Sequence, residues 1–264
     1  MKKLIAAATG LAVALAAVPG SALADPKGEE IARKYFGVKK PDDTRAPGSS
    51  MVLIDKSGNR KTRKVDLYYQ QKPEGKNALM VFSEPADVAG TKFLTYGHKG
   101  AESDQRLYLP ALKKVRKIAA AAKDGELVNS DLWFYDLEER YLEDNTYTLL
   151  AENETLADKA FAGMKFNKIE MKPTKPSCPY SKAIGWANAD NGYIYKLDCF
   201  DKKDGSLLKT ILFVKIDTLK GLLVPTQMVV TNHKKGTKTL MQLNGAEVNV
   251  GLSDDVFSVK NLEQ

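Results

Sequence analysis

The stretch Leu79–Arg116, LMVFSEPADVAGTKFLTYGHKGAESDQRLYLPALKKVR, decides the fold class. It reads as a run of strands, Leu79–Ser83, Thr91–Tyr96, Asp104–Leu109 and Lys113–Ile118. Leu79 and Val81, then Phe93, then Leu107 and Leu109 hold alternate positions, the period of a half-buried antiparallel strand. Glu84-Pro85-Ala86-Asp87 and Gly97-His98-Lys99-Gly100 separate the strands, because proline lacks a backbone donor and glycine accepts positive φ. Such a meander establishes a β class and leaves function open.

Toward the N-terminus, Met51–Asp55, the turn Lys56-Ser57-Gly58-Asn59 and Lys61–Gln70 form a long hairpin. A proline- and glycine-rich loop over Lys39–Ser50 precedes it. Before that, Lys27–Phe36 reads as a helix with Ile31, Ala32, Tyr35 and Phe36 on one face and Gly37 as its stop. Toward the C-terminus, Ala111–Lys123 suits a helix through Leu112, Val115 and Ile118, or a strand over Lys113–Ile118. The strand, followed by a loose loop, is the preferred reading. Asn129–Glu139, NSDLWFYDLEE, has capping chemistry at Ser130 or Asp131 and crowds Leu132, Trp133, Phe134, Tyr135 and Leu137 onto one short element. It is expected to be a plug in the core, with a lid over a cavity as the alternative. From Tyr147 onward the pattern is strands: Tyr147–Glu152, Met164–Met171, Tyr180–Ala187, Tyr193–Phe200, Leu207–Ile216, Leu222–Thr231 and Thr237–Val248. Phe257 and Leu262 read as closing contacts. About eleven antiparallel strands with one or two helices are too many for a flat open sheet, so the sheet must curl.

Residues 1–24 read as a cleaved signal peptide: Lys2 and Lys3, an apolar run from Leu4 to Val18, and Ala22-Leu23-Ala24 before Asp25. No cysteine follows that site, so no lipid anchor through an N-terminal cysteine is expected, and residues 25–264 are expected to form one domain. The formal charge of +7 loses Lys2 and Lys3 with the leader. A mildly basic exported chain points away from nucleic acid and toward anionic lipid, glycan or an acidic docking surface, or to a solvated lysine-rich exterior. In an oxidising compartment Cys178 and Cys199 are expected to form a disulfide across the open end of the Tyr180–Phe200 hairpin.

Catalytic material is sparse. His98 and His233 lie in turns without a second ligand at metal spacing. Gly251-Leu252-Ser253-Asp254 lacks the second glycine of a nucleophile elbow. Glu138, Glu139, Glu143 and Asp144 read as a solvated face, phosphate loops and zinc spacings are missing, and neither cofactor nor metal is expected. A curled sheet rich in apolar side chains either fills its interior or leaves a cavity for a greasy ligand.

Three blocks, SEPADVAGTKFLTYG (Ser83–Gly97), SDQRLYLPALKKVRKI (Ser103–Ile118) and NSDLWFYDL (Asn129–Leu137), resemble the LolA-like outer-membrane lipoprotein-sorting family. PYSKAIGWAN (Pro179–Asn188), DGSLLKT (Asp204–Thr210), MVVTNHKKGTKT (Met228–Thr239) and NVGLSDDVFSVKNLE (Asn249–Glu263) extend the likeness over nearly the whole mature chain. Arg106, where family members often carry Trp, and Leu127–Asn129, in place of an aromatic-small-glycine lead-in, depart from it. The resemblance implies a mainly β, open antiparallel half-barrel of the LolA/LolB kind wrapped around a helical lid or plug. It implies a periplasmic, non-catalytic, monomeric carrier of lipid or of lipoprotein acyl chains between inner and outer membrane, working with an RND-type inner-membrane transporter and an outer-membrane acceptor. On this reading Leu79, Val81, Phe93, Leu107, Leu109 and Trp133 line the cavity, each having plain core packing as its alternative. Arg106, Lys113, Lys114, Arg116 and Lys117 contact a membrane or partner. A filled-barrel interaction module and, further off, a hydrolase of envelope lipid or glycan are the competing readings.

Overall fold

In the computed structural model, which describes residues 25–263, the chain is organised on one continuous antiparallel sheet. The expected leader over residues 1–24 lies outside the described residues. Helix α1 (Pro26–Phe36) comes first. Asp25 caps it by accepting the Lys27 N–H at 3.1 Å, and Pro26 suits a first turn whose donors are unpaired in any case. Next come β1 (Asp43–Ile54), β2 (Arg60–Lys72), β3 (Gly75–Glu84), β4 (Lys92–Tyr96), β5 (Asp104–Leu109) and β6 (Lys114–Ile118). Residues 119–144 follow as short 3₁₀ turns, including Leu127–Asn129 and Phe134–Leu137. The second half comprises β7 (Asn145–Glu154), β8 (Phe166–Pro173), β9 (Tyr180–Asn188), β10 (Ile194–Asp201), β11 (Leu207–Leu219), β12 (Leu222–Asn232), β13 (Thr237–Gln242) and β14 (Glu247–Val248), closed by α2 (Val259–Glu263).

The strands run in the order β6-β5-β4-β3-β2-β1-β13-β12-β11-β10-β9-β8-β7, with β14 beside β1. The two halves meet where Val52 of β1 opposes Leu240 of β13. Strands β6 and β7 are the free ends, so the sheet is open, and residues 119–144 are the chain that joins those ends. The sheet has 14 strands where about eleven were expected, and two segments differ most from the sequence reading. The loop expected over Lys39–Ser50 is largely strand, because β1 absorbs Pro47-Gly48 in a bulge between Ala46 and Ser49. A bulge tolerates a residue without a ladder donor, and Gly48 takes the positive φ of 60° that the irregularity needs. The expected strand Thr237–Val248 divides into β13 and β14 around Asn244-Gly245.

The pleat sorts the apolar residues. Met80 opposes Phe93, and Phe93 opposes Leu107, on the concave face. Leu79 opposes Leu94, and Leu94 opposes Arg106, on the convex face. The main core lies inside the curl, with Val65, Leu67, Met80, Phe82, Phe93, Ile211 and Met241 among its buried members. On the outside, Leu79 and Leu94 pack under Phe257 and Leu262 of the C-terminal segment, and Phe161 covers Phe166, Trp186 and Tyr195.

The expected disulfide is not formed: Cys178 and Cys199 are free, buried thiols. The hairpin register offsets them: Cys199 opposes Ala183 and Asp201 opposes Tyr180, so Cys178, two residues before Tyr180, lies past the paired end, near enough to Cys199 for the two thiols to interact. Burial pushes the Cys199 thiol up to about 12, which removes its thiolate at neutral pH.

Two outcomes are expected. Leu262→Ala, which empties a fully buried site against the convex face, should lower the unfolding free energy by about 2–5 kcal/mol in urea titration. Iodoacetamide should leave Cys199 unmodified in the native protein and label both cysteines in denaturant without reductant; a disulfide would leave both unlabelled.

Candidate ligand cavity

Residues 119–144 cross the concave face as a plug whose polar groups are claimed by inward-pointing side chains of the sheet. Lys209 of β11, fully buried, donates to the Asp136 carboxylate and to the Asp131 carbonyl, both at 2.9 Å. Tyr180 of β9 donates to Asp136 Oδ1 at 2.5 Å, and the Trp133 N–H donates to Oδ2 at 2.9 Å. Asp131 accepts from the Thr237 and Thr239 hydroxyls of β13. Gln105 of β5 donates to the Phe134 carbonyl at 2.8 Å, and buried Arg63 of β2 donates to the Val128 carbonyl. Phe134 stacks on Phe93 with ring centroids 5.3 Å apart, and Trp133 stacks on Tyr180 at 5.6 Å. The segment is therefore a fixed plug, held from β2, β4, β5, β9, β11 and β13.

The plug does not fill the curl. A cavity of about 330 Å³ remains between it and the sheet, within the range of roughly 300–1,000 Å³ usual for ligand sites. Its walls are Leu67 and Tyr69 of β2, Ala78 and Met80 of β3, Phe93 of β4, Ile211 and Phe213 of β11, Val224 and Met228 of β12 and Met241 of β13, with Leu132 and Leu137 from the plug. Polar groups gather at Lys40, Gln71, Lys76, Glu139 and Arg140.

The acidic groups on this lining are already engaged. Burial raises the Asp136 pKa, yet Lys209, Arg140 and the Tyr180 hydroxyl outweigh it and hold the carboxyl below its ordinary 3.8. Glu139 accepts Lys40 Nζ at 2.8 Å and the Tyr141 hydroxyl at 3.1 Å; burial pushes it up, but the lysine wins and its pKa is lowered. Glu138 faces buried Lys123 at 2.6 Å, and there burial prevails and the pKa is raised. The carboxylate cluster expected to be a solvated face is thus mostly interior: Glu139 and Asp144 are buried, the latter paired with Lys175 at 2.9 Å, and only Glu143 is exposed.

The sequence-derived lining residues divide across both faces of the sheet. Phe93 lines the cavity. Leu107 packs against the same core, and Leu109, on the same face, ends the sheet opposite Lys114. Leu79 and Val81 lie on the convex face under the C-terminal segment, because the pleat hands the inner positions to Ala78 and Met80. Trp133 packs against Tyr180 and Lys209 and is not part of the cavity wall. Arg106 is convex and bound to Asp104 at 2.9 Å, while Lys113, Lys114, Arg116 and Lys117 are exposed along the edge. Sequence reasoning missed Lys209, Asp136, Lys76 and Arg140. One signal was legible: Lys209 interrupts LLKTILF at a position that points inward.

A solved structure described as a candidate outer membrane lipoprotein-sorting protein domain, from Vibrio parahaemolyticus, matches with a TM-score of 0.82 and 28% identity, covering 90% of this chain and 99% of that one. A DUF1329 family protein from Desulfovibrio piger matches with a TM-score of 0.81 and 28% identity, covering 89% and 98%. A family model described as an uncharacterized protein matches residues 74–264. The chain belongs to the family that this model describes, and it is similar in sequence and fold to the lipoprotein-sorting and DUF1329 structures. A LolA superfamily protein from Nitrosomonas europaea, at 19% identity and a TM-score of 0.67 over 89% of this chain and 98% of that one, shares its fold. Among curated proteins none matches significantly. The open antiparallel sheet is thus LolA-like.

Asp136→Asn should destabilise the LolA-like fold by about 3–5 kcal/mol in denaturant titration, because it strands the buried Lys209 ammonium. Lys209→Met in the same chain should recover part of that loss. In the wild type, the Asp136 contribution is present above its unfolded value of 3.8 and is lost as pH falls through the lower folded value. A chain carrying both substitutions should show a shallower acid transition.

Proposed function

We propose that this chain is a periplasmic, non-catalytic carrier that takes a lipid, or the acyl chains of a lipoprotein, into the concave cavity and moves it between the inner and outer membranes. The observation that carries this is the apolar space of about 330 Å³ left between plug and sheet. Each acyl methylene leaving water gains about 0.8 kcal/mol, so one or two chains suffice for capture. A bilayer offers nearly the same environment, and net transfer then needs only a small bias from a partner. Family membership and the lipoprotein-sorting description of the Vibrio relative support the same reading. An inner-membrane RND-type transporter and an outer-membrane acceptor are the proposed partners. The signal-like pattern over residues 1–24 supports export.

The β5–β6 hairpin supports transient contact with an anionic membrane. Leu112 at its tip is 62% exposed, and Lys113, Lys114, Arg116 and Lys117 follow on the edge strand. An apolar tip backed by cations suits a headgroup layer. Arg106 has no part in this, since Asp104 holds it at 2.9 Å; Lys117 also reaches Asp104, at 3.5 Å, but stays largely exposed.

Native mass spectrometry with lipid extraction, on protein purified from its own compartment without detergent, tests the proposal. A stoichiometric lipid adduct is expected, and Met228→Asp, on the cavity wall away from the plug contacts, should abolish it. A clean apo mass together with no uptake of a fluorescent fatty acid would sink the carrier and leave a non-catalytic interaction module.

A further inference from the structure

The carboxylates on the cavity wall each have a lysine of their own: Asp136 has Lys209, Glu138 has Lys123 and Glu139 has Lys40. Lys76 and Arg140 line the same wall and are not matched in this way. Among the described residues, Lys76 Nζ makes no hydrogen bond or ion pair. Its position in β3 is set by the pleat, two residues before Ala78 and four before Met80, and it opposes Gln71 of β2 in the register. It therefore projects to the concave side at the polar end of the same inner row that forms the apolar wall. Its ammonium lies 5.1 Å from the centroid of the Tyr69 ring, itself part of that wall. Arg140 leaves the plug on the same side, with Asp136 Oδ1 at 3.8 Å as its nearest acid. That carboxylate is already saturated by Lys209, Tyr180 and the Trp133 N–H. Glu139 attracts Lys76 as well, but it already holds Lys40, so the cavity joins an apolar body to a polar end of three cations, Lys40, Lys76 and Arg140, where the two lysines share one acid.

Resting on the carrier reading above, we propose that Lys76, with Arg140 beside it, forms a head-group subsite selecting amphiphiles with an anionic end, a carboxylate or a phosphate, over neutral ones. A cation on a partly dry wall is costly to leave without an acid of its own, and an anion tethered to an acyl chain in the cavity arrives at high effective concentration. Lysine supplies a mobile point charge and arginine a planar fork, a pair that accepts either anion. Arg106 of β5 cannot share this role, since it is on the other face of the sheet and paired with Asp104 at 2.9 Å.

Isothermal titration with hexadecanol, hexadecanoate and palmitoyl-lysophosphatidate tests this on the mature chain. Both anions should bind roughly tenfold or more tighter than the alcohol, and whichever anion binds better identifies a fatty-acid or a phospholipid source. Lys76→Met should shrink that preference, and Lys76→Arg should retain it. Arg140→Gln should also shrink it, and if that variant does not fold, the Lys76 pair and the wild-type ranking still decide. Equal affinity for all three amphiphiles, or an unchanged preference in Lys76→Met, would overturn the subsite while leaving the carrier intact. Failure of all three to bind would remove the carrier reading and the subsite with it.

Discussion

The ion pair between Asp136 and Lys209, both withdrawn from water, is the constraint on which the interior arrangement depends. Two buried charges contribute little net stability, because desolvation cancels most of their attraction, but either one alone is strongly unfavourable. The pair therefore acts as a register pin. Lys209 finds its acid only if the plug lies with Asp136 over β11, and that placement also brings Asp131 to Thr237 and Thr239 and Phe134 to Phe93. A purely apolar plug would slide on an apolar sheet. This one has a single seating, and the space left beside it becomes a defined cavity.

An open sheet has two edges to protect, and this fold treats them differently. At β7, Asp25 Oδ2 accepts the Leu149 N–H at 2.7 Å, and α1 lies so close that a Cβ at Gly28 would come within 2.8 Å of Leu149 N. That edge is covered. At β6 no element among the described residues pairs with the outer side, and the strand carries Lys114, Arg116 and Lys117. Charge on an edge discourages strand-to-strand association, so these cations serve solubility as well as the proposed contact with an anionic surface. The asymmetry leaves the β6 end as the approachable side of the molecule.

The cavity and the plug meet through one physical rule. Apolar walls facing an unfilled space forgo dispersion contacts, so an occupant of matching chemistry is favoured, and polar groups are tolerated only where another polar group engages them. Asp136, Glu138 and Glu139 obey that rule through their lysines. Lys76 has no acid of its own, and an anionic end on the occupant would complete it.

The sequence by itself determined the strand periodicity of Leu79–Ile118, the hairpins that follow Tyr147, the helix ending at Gly37, the plug nature of the Leu132–Leu137 aromatics and the likeness to LolA-like proteins. These are local properties of pattern and turn chemistry, and they survive folding because neighbouring strands pair in order. Which face each strand buries was decided only by tertiary structure. Leu79 and Phe93 look alike in sequence, yet the register and the returning C-terminal segment place one outside under Leu262 and the other inside against Phe134. The same holds for Cys178 and Cys199, whose offset across the hairpin depends on a register that spacing does not reveal. It holds most for Lys76, the Asp136–Arg140 segment and Lys209, far apart in the chain. Only the curl of the sheet brings them to one wall, because their partners are long-range and charge pairing has no period in sequence.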